Sequence, residues 1–216
     1  MLRRLPHWLE IVIINLLCFG PFAVRSILDL RGLHSLVLFD NKRALWIGGV
    51  ELVCGTLALL FLRARGWTRE GLGLRITGLQ TIAGMWLMLA SNIAIALFYQ
   101  LVKAATNSDP GTATSFKATV SLPVLIALVL INPLYDELFV VAYNLRALEG
   151  SGAAFAITLS ALIRFLCHLD QGPIAAVTIL PLGLIFAAVY WRWKRVWPLV
   201  VAHGMMDFLG MMPSSQ

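Results

Sequence analysis

Runs of apolar residues, most of them about as long as a membrane span, follow one another along the chain with short polar interruptions. They lie near residues 8–28, 44–64, 79–102, 118–146, 153–168, 173–191 and 196–212. A helix needs about 20 mostly apolar residues to cross the hydrocarbon core of a bilayer. The pattern therefore predicts an all-α fold, a polytopic transmembrane bundle of about seven spanning helices, in a single integral membrane domain over residues 1–216.

The composition agrees with this interpretation. Hydrophobic residues make up 59% of the chain and charged residues 13%, whereas soluble domains carry roughly 25% charged residues. A soluble globule of this length could not bury so much apolar surface, but lipid can solvate it. We therefore expect a multi-pass membrane protein with membrane lipid as its surroundings.

The net charge of +6 has two possible explanations. Short clusters of Lys and Arg at the ends of the apolar runs are typical of the positive-inside bias of membrane proteins. Nucleic-acid binding needs a continuous basic face, and the sequence shows none. The charge therefore indicates topology, and it favours an inside N-terminus and an outside C-terminus.

Ionisable residues inside the apolar runs are the candidate functional residues. A charge at the centre of a bilayer costs about 2.5–3.5 kcal/mol on insertion scales, so such groups face the interior of a bundle. Five of them lie in the C-terminal half: Asp136, Glu137, His168, His203 and Asp207. His203 and Asp207 are four residues apart and share one helix face.

Helical rise places Asp136 and His203 at comparable depths, whereas His168, sixteen residues past Gly152, lies about 24 Å along its helix, a gap that helix tilt could close. Asp136 lies ten residues from the basic end of its segment at Arg146, or about 15 Å, and His203 lies eight residues from Arg195, or about 12 Å. A carboxylate and a histidine can share a water and remove its proton, and a second histidine can donate to a developing oxyanion. Arg164, four residues before His168, is expected to support this set by holding a carboxylate ionised.

Other interpretations of the same residues stay open at this point. Polar side chains in membrane helices can have a structural role only, forming hydrogen bonds between helices. Chains of Asp, Glu and His also form proton or ion pathways. Two His and a carboxylate can hold zinc, but no H-E-x-x-H spacing is present, and we predict that no cofactor is needed.

Three short motifs in this order resemble the CPBP family, the CaaX-protease and bacteriocin-processing (Abi) proteins. The family pattern is EExxxR, then FxxxH, then HxxxN or HxxxD. The corresponding segments are DELFVV at 136–141, RFLCH at 164–168 and HGMMD at 203–207. The third motif matches fully, and the first two match in part.

This resemblance implies an intramembrane endopeptidase of the glutamate type, with a core at about 118–212. By position, Asp136 and His168 would activate water, and His203 and Asp207 would form the oxyanion site. Glu137 would be a supporting or substitute carboxylate. The implied substrate is a membrane-associated peptide or lipidated protein, and the implied location is a bacterial plasma membrane.

Four departures from the family pattern leave two possibilities. Asp136 replaces the leading Glu, and Arg164 replaces the motif phenylalanine. Val141 and Ala142 replace the motif arginine and the glycine that follows it. Arg164 could restore from the next helix the charge that is absent at position 141, and the site would then be active. Alternatively, the chain is a catalytically inactive relative that binds a membrane partner or confers immunity.

Overall fold

Seven helices account for most of the chain in the computed structural model, which describes residues 5–31, 36–107, 115–169, 176–177 and 179–212. In chain order they are α1 (His7–Arg31), α2 (Asn41–Arg65), α3 (Gly78–Thr106), α4 (Leu122–Ala147), α5 (Ala153–Cys167), α6 (Leu180–Trp193) and α7 (Trp197–Met211). The predicted all-α membrane bundle is confirmed.

Four of these helices, α1 to α4, have the length and apolar composition to cross a membrane. The other three, with 14 or 15 residues each, are shorter than the apolar runs that predicted them. A proline lies in the first turn of both α6 and α7, where its missing N–H is tolerated and helps to set the start of the helix. The predicted start of the sixth run, at residue 173, lies outside the described residues.

Two short strands, which the sequence pattern did not predict, pair in parallel. Strand β1 (Leu36–Asp40) lies beside β2 (Ser115–Thr119), with Leu36 opposite Ser115 and Asp40 opposite Thr119. The sequence pattern had assigned these residues to loops and to the start of the fourth run. Each strand leads directly into a helix, β1 into α2 and β2 into α4, so the pairing brings the beginnings of these two helices together.

Caps at both ends of α2 and α3 explain where these helices begin and end. The side chains of Asp40 and Thr77 accept hydrogen bonds from the first-turn N–H groups of α2 and α3. At their C-termini, Gly66 and Asn107 adopt left-handed conformations, with φ of 97° and 50°. These are the residue types that end helices with the least steric cost.

The centre of the bundle is the second half of α4. Its segment Glu137–Tyr143 is π-helical, and all seven of its side chains are buried. It packs against α1, α5 and α6, together with large buried rings such as Tyr190 and Phe186. Single π turns inside α-helices are frequent at functional sites, and this one begins at a residue of the first motif.

The candidate active site

A cavity of about 170 Å³ lies between α2, α4, α5 and α7, with two phenylalanines of α1 in its wall. Its polar lining residues are Arg43, Glu51, Asn132, Asp136, His168, His203 and Asp207. Four of the five residues proposed from the sequence therefore share one cavity. The fifth, Glu137, is fully buried behind the wall.

Glu137 connects the helices that carry the three motifs. Its Oε1 accepts a hydrogen bond of 2.6 Å from Nη2 of Arg164 on α5. The same oxygen lies 2.7 Å from Nδ1 of His203 on α7. A carboxylate that is 0% exposed is tolerated only when it is paired in this way. The contacts of Glu137 are therefore with the protein rather than with the cavity.

Arg164 occupies the space between the two acidic residues of the first motif. It is 2% exposed, and its Nη1 lies 3.7 Å from Oδ2 of Asp136 in addition to the bond to Glu137. Val141, at the position of the family's motif arginine, is completely buried among apolar residues. The positive charge beside Glu137 thus comes from α5.

His203 lies between two carboxylates. With Nδ1 directed at Glu137, its Nε2 points towards Asp207, one turn further along α7, at 3.5 Å from Oδ2. That separation allows Coulomb attraction but is long for a hydrogen bond. Oδ2 of Asp207 has no hydrogen-bond partner in the part of the chain that the structure describes.

His168 follows the last residue of α5 and turns its ring back onto that helix. Its Nδ1 lies 2.7 Å from the backbone carbonyl oxygen of Arg164. A carbonyl oxygen can only accept, so Nδ1 carries a proton, and when the ring is neutral its lone pair is on Nε2. A general base needs this tautomer.

Sequence reasoning did not place Glu51 or Asn132 in the site. The two side chains share a 2.6 Å hydrogen bond from Nδ2 of Asn132 to Oε1 of Glu51, and both line the cavity. The signal was present for Glu51, because it is an ionisable residue inside an apolar run, like the residues that were chosen. The packing of α2 against α4 that brings it to the site is accompanied by the pairing of β1 with β2, and the pattern revealed neither contact.

Within the described ranges, no group of three or more His, Cys, Asp or Glu side chains is arranged to hold a metal ion. Independence from cofactors stays a prediction.

Comparison with known proteins relates part of the chain to one family. Residues 118–209 match the family model described as "Type II CAAX prenyl endopeptidase Rce1-like". This part of the chain is similar to the Rce1-like proteins. The Rce1-like segment includes all three motifs, from Asp136 to Asp207, and the resemblance inferred from them is confirmed.

A curated relative supports the same assignment over more of the chain. It is the Bacillus subtilis (strain 168) protein named "Putative membrane peptidase YdiL", which is 27% identical over 197 residues, covering 87% of this chain and 74% of that protein. No solved structure is significantly similar to the chain. The family and the apolar helices indicate a multi-pass integral membrane protein that is, at the level of the family, a membrane protease.

Proposed function

We propose that the chain is an intramembrane endopeptidase of the CPBP or CaaX-protease type. It hydrolyses a peptide bond of a membrane-associated substrate with water activated by a carboxylate and a histidine. The observation that carries this proposal is that Asp136, His168, His203 and Asp207, from three helices, line one cavity inside an apolar bundle. As proposed, the whole chain forms one domain.

In this mechanism Asp136 and His168 activate the water. Asp136 lines the cavity with 15% of its side chain exposed, and Nε2 of His168 is free to accept a proton. Together they would orient a water and take its proton as the oxygen attacks the substrate carbonyl. His168 would then return the proton to the leaving amine.

His203 would donate to the oxyanion, and Asp207 would complete this part of the site by favouring the protonated form of the His203 ring. Because a carboxylate lies near each nitrogen of His203, we expect both nitrogens to carry a proton. Nδ1 is held by Glu137, and Nε2–H, which lies too far from Asp207 for a short hydrogen bond, is available to donate to the oxyanion. Preorganised donors of this kind are worth roughly 10²–10³-fold in rate each.

Glu137 has a supporting role in this scheme. Its Oε1 is already occupied by Arg164 and His203, and its side chain is outside the cavity lining. It would fix the orientation of His203 rather than touch the water. The substitute role that the family pattern allows for this residue is therefore less well supported by the geometry.

The substrate follows from the location of the cavity. A peptide must reach polar groups that lie between membrane helices, so we propose a membrane-associated or lipidated peptide as the substrate. The lipid bilayer around it would be a bacterial plasma membrane, in keeping with the relative from Bacillus subtilis.

Hydrolysis of a peptide library by purified protein in lipid nanodiscs tests this function. His168→Ala should lower the rate by about 10²–10⁴-fold, the usual contribution of a general base. Arg192→Ala, an exposed residue at the end of α6, is the matched control and should cleave like the wild type. The protease assignment fails if no peptide is cleaved, or if His168→Ala matches the control.

A catalytically inactive, partner-binding relative is the second candidate. It is favoured by the contact of Arg164 with Asp136, at 3.7 Å, because a cation there competes with water for the carboxylate. This candidate predicts that cells carrying Asp136→Asn or His168→Ala keep the protein's biological role, whereas the protease predicts that they lose it.

A further inference from the structure

The wall of the cavity carries a carboxyl group that the proposed reaction does not use. Glu51 lies in the middle of α2, is 2% exposed and lines the cavity with Asp136 and Asp207. Its Oε1 accepts the hydrogen bond from Asn132. Its Oε2 is buried and has no hydrogen-bond partner among the described residues.

The fold places the carboxyl group of Glu51 at the same depth along the bundle as the candidate site. Glu51 is ten residues beyond the first residue of α2, and Asn132 is ten residues beyond the first residue of α4. The paired strands β1 and β2 hold the beginnings of these helices at one level. Asn132 is one turn before Asp136 on the same face of α4, so Glu51 and Asp136 line neighbouring parts of the same cavity.

The basic groups around the cavity already have other partners. These pairs are Arg164 with Glu137 and Asp136, His203 with Glu137 and Asp207, and Arg43 with Asp29. His168 donates to a backbone carbonyl. Glu51 is held by a neutral amide, and two other carboxylates share its cavity. A buried carboxylate in such surroundings is stabilised most by a cation.

We propose that Glu51, held in place by Asn132, is a specificity-determining residue that binds a cationic side chain of the substrate. The ligand would be a lysine or arginine close to the scissile bond, donating to Oε2 of Glu51. This inference rests on the proposed function, since it identifies a feature of the peptide that the same cavity accepts.

Matched peptides test this subsite. In one set of short fluorescent peptides a single lysine is moved along the sequence. In the other set norleucine, which lacks only the amine, replaces it. Anisotropy with the full chain in nanodiscs gives their affinities. The best lysine peptide should bind about tenfold more tightly than its norleucine match, the effect of one hydrogen bond to a charged group.

Three variants assign the preference to one side chain. Glu51→Gln should bind both peptides of the best pair equally, and Glu51→Asp, which keeps the charge, should retain part of the preference. Glu70→Gln is the matched control, because Glu70 is an exposed carboxylate in the loop after α2, and it should behave like the wild type. Unfolding temperatures establish that each variant is folded.

The inference is overturned if the wild type shows no lysine preference at any position. A preference that survives in Glu51→Gln overturns it as well. Binding with a preference but no cleavage supports the subsite and contradicts the protease, whereas cleavage without a preference contradicts only the subsite. Failure of the two proposals can therefore be told apart.

Discussion

Replacement of Arg164 should destabilise the protein more than any change to an exposed arginine. The side chain of Arg164 is 2% exposed and forms an ion pair with Glu137, whose side chain is 0% exposed. Arg164→Phe, which introduces the residue of the family motif, removes this cation and leaves the buried carboxylate with His203 as its one remaining partner among the described residues. Breaking a buried ion pair by removing one partner costs about 3–5 kcal/mol, so the folding equilibrium constant should fall by roughly 10²–10⁴-fold.

A second substitution tests whether Arg164 supplies the positive charge that the motif arginine supplies in the family pattern. Val141 lies one turn beyond Glu137 on α4, and its side chain is fully buried. If the charge has moved from α4 to α5, the double variant Arg164→Phe with Val141→Arg restores a cation beside Glu137. The free energy of unfolding of the double variant should then exceed that of Arg164→Phe alone, although Val141→Arg by itself should be destabilising.

Equilibrium unfolding in mixed detergent micelles measures both effects. Arg192→Ala is the control, and it should change the free energy of unfolding by less than about 0.5 kcal/mol. The reasoning is refuted if Arg164→Phe is as stable as this control. The interpretation that Arg164 supplies the cation of the family's motif arginine is refuted, by itself, if adding Val141→Arg to Arg164→Phe lowers the stability further.

Three further predictions can be tested separately. A Cβ atom on Gly84 of α3 would lie 2.7 Å from the carbonyl oxygen of Pro198, so Gly84→Ala should lower the free energy of unfolding by about 1–3 kcal/mol. Gly49 has open space around it, so Gly49→Ala should not lower this free energy. Equal losses of stability in the two variants would contradict the close packing of α3 against α7. Lys194 lies 2.9 Å from Glu149 and lowers the pKa of that exposed carboxyl group. The pair therefore adds stability above the ordinary carboxyl pKa and loses it as the pH falls through the lowered one. Thermal unfolding of Lys194→Met should depend less on pH in this acidic range, and an unchanged profile would contradict the pairing. Finally, chelators should leave peptide hydrolysis unchanged, whereas a loss that zinc restores would contradict metal-free catalysis.

The helices could be predicted because lipid imposes a simple rule on their composition. Apolar length alone located α2 at 44–64, against Asn41–Arg65 in the structure. The end of α3 was placed too early, at 102, because hydropathy falls at Lys103 while the backbone continues as helix to Thr106. Hydropathy registers where the lipid ends, and backbone hydrogen bonds and caps decide where the helix ends.

The strands and the π-helical segment could not be predicted from the same pattern. The partners β1 and β2 are separated by more than 70 residues, and no local signal links segments that far apart. The π turn in α4 lies inside a long apolar run, and all of its side chains are buried. Hydropathy along the sequence therefore does not mark it. Both features nevertheless position the site: the strands set the level of Glu51, and the π turn begins at Glu137.

The candidate residues were found from the sequence because charge is expensive in a membrane. That criterion selected Asp136, His168, His203 and Asp207, which meet in one cavity. It could not distinguish Glu137, which is turned away from the cavity into an ion pair, from its neighbour Asp136. Side-chain direction at adjacent positions depends on the local helix geometry, which the π turn alters.

Hydrolysis in water enriched in oxygen-18 tests the central claim most directly. Wild-type protein in nanodiscs should yield a cleaved peptide with the heavy oxygen in its new carboxyl group, as read by mass spectrometry. Asp136→Asn and His168→Ala, with their folds intact, should yield almost none. Labelled product from these variants at the wild-type rate, or no product from the wild type, would contradict water activation by side chains meeting in this cavity.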